Sequence, residues 1–369
     1  MKKRLALLAA VVLGAQSAGA AEADLIRQYQ FDRDGDGYRL VMREVPRPVA
    51  RDDKVLVRVR ATSLNHRDLN MLRGHYDEDD AYAGTIPLSD GAGEVIAVGK
   101  DVTRFEVGDR VAGIFFEEWI DGPPSETSLL TDRGGNAGGM LSEVIVSHED
   151  GLVTIPAHLT WEEAATLPCA AVTAWVALFK RGQVEPGQWV LLEGTGGVST
   201  FGLIFAHAVG AKPVITSSSD AKLERATAMG AVGTANYRQD PDWHLAVKEI
   251  TGGHGVDQVL DIGGRSTLPK VLEILAYGGH VALIGGLTGY GFDLPTDSIM
   301  WINATASGVY VGSRADFEAM SAFISEHEIR PHIDRVFEFE DAPAAYDYFE
   351  NGDFMGKIVI RIPAPVQNP

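Results

Sequence analysis

The chain has 369 residues, 45% hydrophobic and 22% charged, enough for two ordinary domains with a sizeable core and too apolar for a disordered protein. Its 32 basic residues face 51 acidic ones, and the formal charge of −19 argues against nucleic acid or an anionic membrane as a broad-surface partner, because phosphate binding needs a cationic footprint. With one cysteine, Cys169, no intrachain disulfide can form.

The chain begins with Lys2, Lys3 and Arg4, continues with an apolar run from Leu5 to Gly14, and reaches the small residues Ala18-Gly19-Ala20. This is the layout of a secretory leader cleaved after Ala20, and it predicts an exported, periplasmic protein. A mis-called start codon leaves a cytoplasmic reading open. The apolar run is too short to anchor in a bilayer, and no other segment is long and apolar enough to cross one.

From about Tyr29 to Pro156 the signals are β-like. Lys54–Arg60 alternates with the period of a half-buried strand, and Gly91–Gly99 and Asp109–Gly113 read as strands bounded by turn glycines. The acidic stretch Tyr76–Tyr82 and the Gly/Asp/Pro-rich stretch Trp119–Gly139 read as long surface loops.

After Pro156 the texture changes. Leu159–Lys180 predicts a helix interrupted near Pro168. Strands at Trp189–Glu193, Pro213–Thr216, Val256–Asp261 and His280–Ile284 then alternate with helices at Val198–Val209, Lys222–Met229 and Leu268–Leu275. Such alternation predicts an α/β fold with a doubly wound parallel sheet. Helices at Asp316–His327 and Ala342–Glu350 and a terminal strand at Lys357–Arg361 complete the chain.

The strand Trp189–Glu193 runs directly into Gly194-Thr195-Gly196-Gly197-Val198-Ser199 and then an apolar helix. A strand, a tight glycine turn and a helix N-terminus form the apparatus that holds a pyrophosphate, with backbone N–H groups aimed at the anion. Ser199 stands where a third glycine is usual. NAD sites place an acid at the end of the second strand, but here that strand ends in Ser217, Ser218 and Ser219. Asp220 stands where the next helix begins and reads as its N-cap. Lys222 and Arg225 can pair with a 2′-phosphate or form a solvated helix face. Ser217, Ser218 and Tyr237 offer hydroxyls, so the expected cofactor is NADP(H).

Several further motifs add to the glycine turn: Ser63-Leu64-Asn65-His66-Arg67-Asp68-Leu69 with Gly74 and Tyr76, Ser89–Val95, Gly108–Val111, Ala164–Cys169, Gly285-Gly286-Leu287 and Gly356-Lys357-Ile358-Val359. With them the chain resembles the medium-chain dehydrogenase/reductase superfamily, and within it the zinc-less branch of quinone oxidoreductases and enoyl reductases. The resemblance implies a GroES-like, β-rich catalytic domain over residues 21–156 and 306–369, a Rossmann domain over 157–305, and an active site in the cleft between them. It places Gly285 in the cofactor site, Asn65 near nicotinamide and substrate, and Tyr76 as a donor at the cleft edge. It also suggests a homodimer.

By the same resemblance, Asn65 replaces a cysteine ligand of the zinc enzymes, Ser89-Asp90 replaces their His-Glu pair, and the four-cysteine structural lobe is missing. Only Cys169 remains, so no zinc is expected. Asn65 and Asp68 also have plainer readings, as a turn residue and a helix cap, and Tyr76 as a packing aromatic. Without a Lewis acid a carbonyl must be polarised by hydrogen bonds, which suits quinones and enones better than saturated alcohols. Reduction of a quinone or enone is the leading expectation. An alcohol dehydrogenase or aldehyde reductase, and a cofactor-binding protein without turnover, are the alternatives.

Overall fold

The computed structural model describes residues 24–76, 82–291 and 296–363, so the leader expected over 1–20 and most of the acidic stretch after Tyr76 lie outside the described residues. After the hairpin of β1 (Leu25–Asp34) and β2 (Gly37–Pro46), a first sheet gathers β3 (Lys54–Ser63), β4 (Asp90–Val98), β5 (Arg110–Gly113), β6 (Val144–His148) and β7 (Leu152–Thr154). In β3 Val55, Val57 and Val59 are fully buried as the alternation predicts, but Leu56 on the other face is buried too, against Ile26 and Val144. The chain returns to this sheet at its end through β14 (Ile333–Glu338) and β15 (Lys357–Arg361), and β15 lies antiparallel to β3 with Val359 opposite Ser63.

Between these parts lies a parallel sheet of β8 (Trp189–Leu192), β9 (Lys212–Ser217), β10 (Gly233–Asn236), β11 (Val256–Asp261), β12 (Leu275–Leu283) and β13 (Thr305–Gly308). Its order, β10-β9-β8-β11-β12-β13, is that of a dinucleotide-binding Rossmann domain, with the topological switch between β8 and β11. Both faces are covered. Val190 and Leu192 pack with Phe201 and Phe205 on one face, while Leu191, Val214 and Val259 pack with Trp243 and Val247 on the other. The first cluster continues into Ala61, Ala92 and Ala112 of the other sheet, so one apolar core joins the two.

The helical stretch is interrupted just before Pro168, as expected: the α-helix Trp161–Ala164 ends at Ala165, and Leu167–Ala171 and Val176–Arg181 are π-helical turns. Proline offers no N–H to an α-helical ladder. One expectation needs correction: the stretch Trp119–Gly139 is not a plain surface loop. It folds inward around Arg133, which is 1% exposed and bonds Ser147 Oγ (2.9 Å), Gly151 O (3.3 Å) and the Glu117 carboxylate. A buried guanidinium needs such partners, and their carbonyl and hydroxyl oxygens are not visible in loop composition.

The last strand starts at the junction of the two sheets. Gly356 sits at φ +79°, donates its N–H to Thr195 O (2.9 Å), and has the His332 carbonyl where a side chain would begin. Gly356→Ala therefore meets both a left-handed backbone and a carbonyl, and is expected to lower stability by about 1–3 kcal/mol in urea melts. Wild-type stability in this variant would contradict that account of the junction.

Candidate functional site

The glycine turn follows from its neighbours. Gly194 leaves β8 at φ +70° and gives its N–H to Thr216 Oγ1 (3.1 Å) on β9. Gly196 is the N-cap of the helix Gly197–Ala208, where no side chain caps the first turn, so the turn fits an anion held by backbone donors. Gly197 must be glycine, because the Lys357 stem lies 2.8 Å from where its Cβ would stand. Ser199, in place of the third glycine, turns its hydroxyl back to Glu193 O (2.6 Å). Thr195 is buried, Val198 half-buried, and Gly285 at the end of β12 gives its N–H to Asp261 O (3.2 Å).

The residues expected around the adenosine phosphate gather at the ends of β9 and β10. Ser217 Oγ accepts from Ser219 N (3.3 Å), Ser218 is adjacent, and Tyr237, half exposed, gives its N–H to Ser217 O (3.1 Å). Asp220 is not the N-cap: Ser219 holds that position, and Asp220 opens the helix Asp220–Ala228. Its carboxylate accepts from Asn236 Nδ2 (2.6 Å) and Gln239 Nε2 (2.7 Å). Lys222 is no solvated face. It is 7% exposed, with its ammonium 3.3 Å from Gly352 O and 3.5 Å from the Asp353 carboxylate.

Beside the turn, β15 brings in a residue that sequence reading had treated only as part of a terminal motif. Lys357, 2% exposed, donates to Asn65 Oδ1 (2.6 Å), Leu64 O (2.7 Å) and Asp90 Oδ2 (3.1 Å). Asp90 is fully buried and also accepts from Ser63 Oγ (3.0 Å) and Ser89 Oγ (3.1 Å). Asn65 is the N-cap of the helix His66–Leu72, and its backbone N–H donates to Asp68 Oδ2 (2.7 Å), so Asp68 stands inside the helix as the acidic member of a capping box rather than ahead of a following helix. Asn65 Nδ2 is buried without a hydrogen-bond partner among the described residues.

Zinc does not fit this donor set. Asn65 offers an amide and Ser89 a hydroxyl, a lysine cation already engages Asp90, and Cys169 alone is a strong zinc ligand type among them.

Tyr76 is 48% exposed, and its hydroxyl accepts from Asn70 Nδ2 (3.0 Å), so it stands at the rim and is not hydrogen-bonded to Asn65. Arg67 is near the same rim. It pairs with Asp132, bonds Arg133 O (2.8 Å) and lies over Phe115 (4.8 Å). At the switch point, Glu193 Oε2 accepts from Gly263 N (3.0 Å), and burial followed by the neighbouring Asp261 raises its carboxyl well above the usual range. Sequence reading also missed this pair, whose members are brought together only by the β8–β11 pairing.

Burial raises the Asp68 carboxyl to about 7, against the opposing pull of Arg67 and the Asn65 N–H, and its Oδ1 has no partner. A carboxyl raised on folding contributes stability that is full below its unfolded value and is lost as pH rises through its folded one. Asp68→Asn keeps an oxygen for the Asn65 N–H and removes the titration. In urea melts the variant should therefore gain on wild type between about pH 4 and about pH 7. A difference that does not change with pH would contradict this environment for Asp68.

Two family models match the chain, an alcohol dehydrogenase GroES-like domain over residues 51–157 and a zinc-binding dehydrogenase domain over 197–326. A zinc-type alcohol dehydrogenase-like protein of Schizosaccharomyces pombe is 42% identical over 86% of this chain and 93% of its own length. A quinone oxidoreductase-like protein of Bos taurus is 29% identical over 88% of this chain and 89% of its own. A crystal structure from Sinorhizobium meliloti, provisionally described as an alcohol dehydrogenase, superposes with a TM-score of 0.86 at 36% identity, covering 91% of this chain and 98% of that one. With its GroES-like sheet, its Rossmann sheet and a glycine turn at their junction, the chain belongs to the medium-chain dehydrogenase/reductase superfamily and is an oxidoreductase that uses a nicotinamide cofactor.

Proposed function

We propose that the protein is a zinc-independent, NADP(H)-dependent reductase of quinones or α,β-unsaturated carbonyls. The observation that carries this reading is the buried Lys357–Asp90–Asn65 cluster. A lysine ammonium satisfies the carboxylate that a metal would need, and Asn65 is left with an N–H donor that no protein group takes up. A bound reduced nicotinamide supplies the hydride. Asn65 Nδ2 then donates to the oxygen on which negative charge develops, in a buried site where such a bond is worth more than in water.

Quinones and enones spread the incoming charge through conjugation, so hydrogen-bond donors suffice. Oxidation of a saturated alcohol passes through an alkoxide that a metal ordinarily stabilises. The bovine quinone oxidoreductase-like relative supports this choice. The zinc-type alcohol dehydrogenase-like name of the fission-yeast relative favours the second reading, an alcohol dehydrogenase or aldehyde reductase. Preference for NADP(H) is supported by the serines at the end of β9 and by Asp220, whose carboxylate is taken up by Asn236 and Gln239. The nearness of Tyr237 to Ser217, whose carbonyl accepts the Tyr237 N–H at 3.1 Å, supports a shared role for Ser217, Ser218, Lys222 and Tyr237 toward the 2′-phosphate.

Turnover of the purified protein against 1,4-naphthoquinone, enones, aldehydes and alcohols with both cofactors tests the reading. NADPH-dependent reduction of the first two classes should dominate, and Asn65→Ala should lower kcat by about 10²–10³-fold in protein that thermal melts show to be folded, though less stable for want of an N-cap and a Lys357 partner. Robust alcohol oxidation beside inert quinones and enones would move the assignment to the second reading. For the cofactor, Lys222→Ala should weaken NADPH binding by about 1–3 kcal/mol and leave NADH nearly unchanged. Equal losses would show that Lys222 does not read the 2′-phosphate.

A further inference from the structure

We propose that Lys357 is a positioning residue. Its ammonium fixes which end of the Asn65 amide faces the reacting carbonyl, and its stem ties that amide to the glycine turn. The proposal rests on the reading of Asn65 as the donor to the substrate oxygen, and it concerns what makes Asn65 a donor.

An asparagine amide has a donor end and an acceptor end of nearly equal size, so its orientation is set by its partners. An ammonium has three N–H donors and no acceptor. The Lys357 ammonium has three oxygen partners, Asn65 Oδ1, Leu64 O and Asp90 Oδ2, at 2.6, 2.7 and 3.1 Å. Its donors are thereby all engaged, which leaves none for a substrate. The contact also excludes the flipped amide, since Nδ2 would then face a cation. Asn65 must present Oδ1 to Lys357 and keep Nδ2 on its other side, where no protein group accepts from it.

The lysine cannot swing away. Asp90, held by Ser63 and Ser89, anchors its charge, and its Cδ fills the space that a side chain at residue 197 would need. The preceding Gly356 N–H is bonded to Thr195 O within the turn. One dipeptide, Gly356-Lys357, therefore sets the Asn65 amide relative to the backbone that cradles the cofactor. The site is thus built to receive an oxygen acceptor, a carbonyl or an enolate, at that amide.

Three variants of the full-length chain test this. Lys357→Met with Asp90→Asn keeps an unbranched stem against Gly197 and removes both charges, so no buried ion is left unpaired. Asp90→Asn alone keeps the Lys357 side chain and its oxygen partners on Asn65 and Leu64 and exchanges only the carboxylate for an amide. For NADPH-dependent reduction of 1,4-naphthoquinone, the double variant should lose about 10²-fold in kcat relative to Asp90→Asn, with little change in KM or in NADPH affinity by fluorescence titration. Crystal structures should show the Asn65 side chain in its wild-type rotamer in Asp90→Asn and displaced in the double variant, a readout that needs no turnover. Asn65→Asp supplies the third measurement: it pairs with Lys357 but has no N–H, and should lose kcat as severely as Asn65→Ala.

A folded double variant with the kcat of Asp90→Asn and an undisturbed Asn65 would overturn the proposal, as would wild-type kcat in Asn65→Asp. Should Asn65→Ala itself be fully active, the donor reading fails first. A crippled Asn65→Ala beside an unaffected double variant removes only the role of Lys357.

Discussion

A lysine ammonium enclosed in protein must find oxygen partners or give up its proton, and Lys357 finds three, on Asn65, Leu64 and Asp90. Much of the candidate site depends on that constraint. Asp90 is tolerable in a fully buried place because the cation and two serine hydroxyls satisfy it. The loop before the helix His66–Leu72 is held to β15 by the same head group, and the glycine turn is held to β15 by the bond from Gly356 to Thr195. Removing one member of such a pair leaves a buried charge uncompensated, which is why the charge-neutral exchange is the informative one.

The parallel sheet does for the cofactor what the lysine does for the donor. Strand order reverses between β8 and β11, and the ends of those strands carry Gly194 and Gly263 into one crevice. The Glu193 carboxylate bridges it by accepting the Gly263 N–H, and Asp261 receives N–H groups from Gly264 and Gly285. Burial, followed by the neighbouring Asp261, holds the Glu193 carboxyl well above its usual range.

Features written locally were legible in the sequence. The glycine turn is a run of neighbours, the Asp68 capping box acts over three residues, and the helix Ala342–Glu350 and the short apolar strand Lys357–Arg361 lie where the sequence puts them. The Lys357–Asn65 contact was not legible, because its partners are 292 positions apart and meet only through the β15–β3 register. Lys222 was read as a phosphate ligand or a solvated cation, and packing against the Gly352–Asp353 turn was invisible from its own helix. The stretch around Arg133 looked like surface because composition reports polarity, not whether partners await it inside. Asp68 shows the same division: a capping role was open from its residue type, whereas its weakened acidity depends on burial that only the fold creates.

The central claim is that a protein cation and an amide donor, rather than a metal, create the electrostatics of this site. Zinc content and NADPH-dependent turnover of 1,4-naphthoquinone, measured on the same purified sample before and after exhaustive chelation, test it most directly. The account predicts zinc far below one per chain and a rate that chelation leaves unchanged. About one zinc per chain, whose removal abolishes turnover and whose return restores it, would contradict the account.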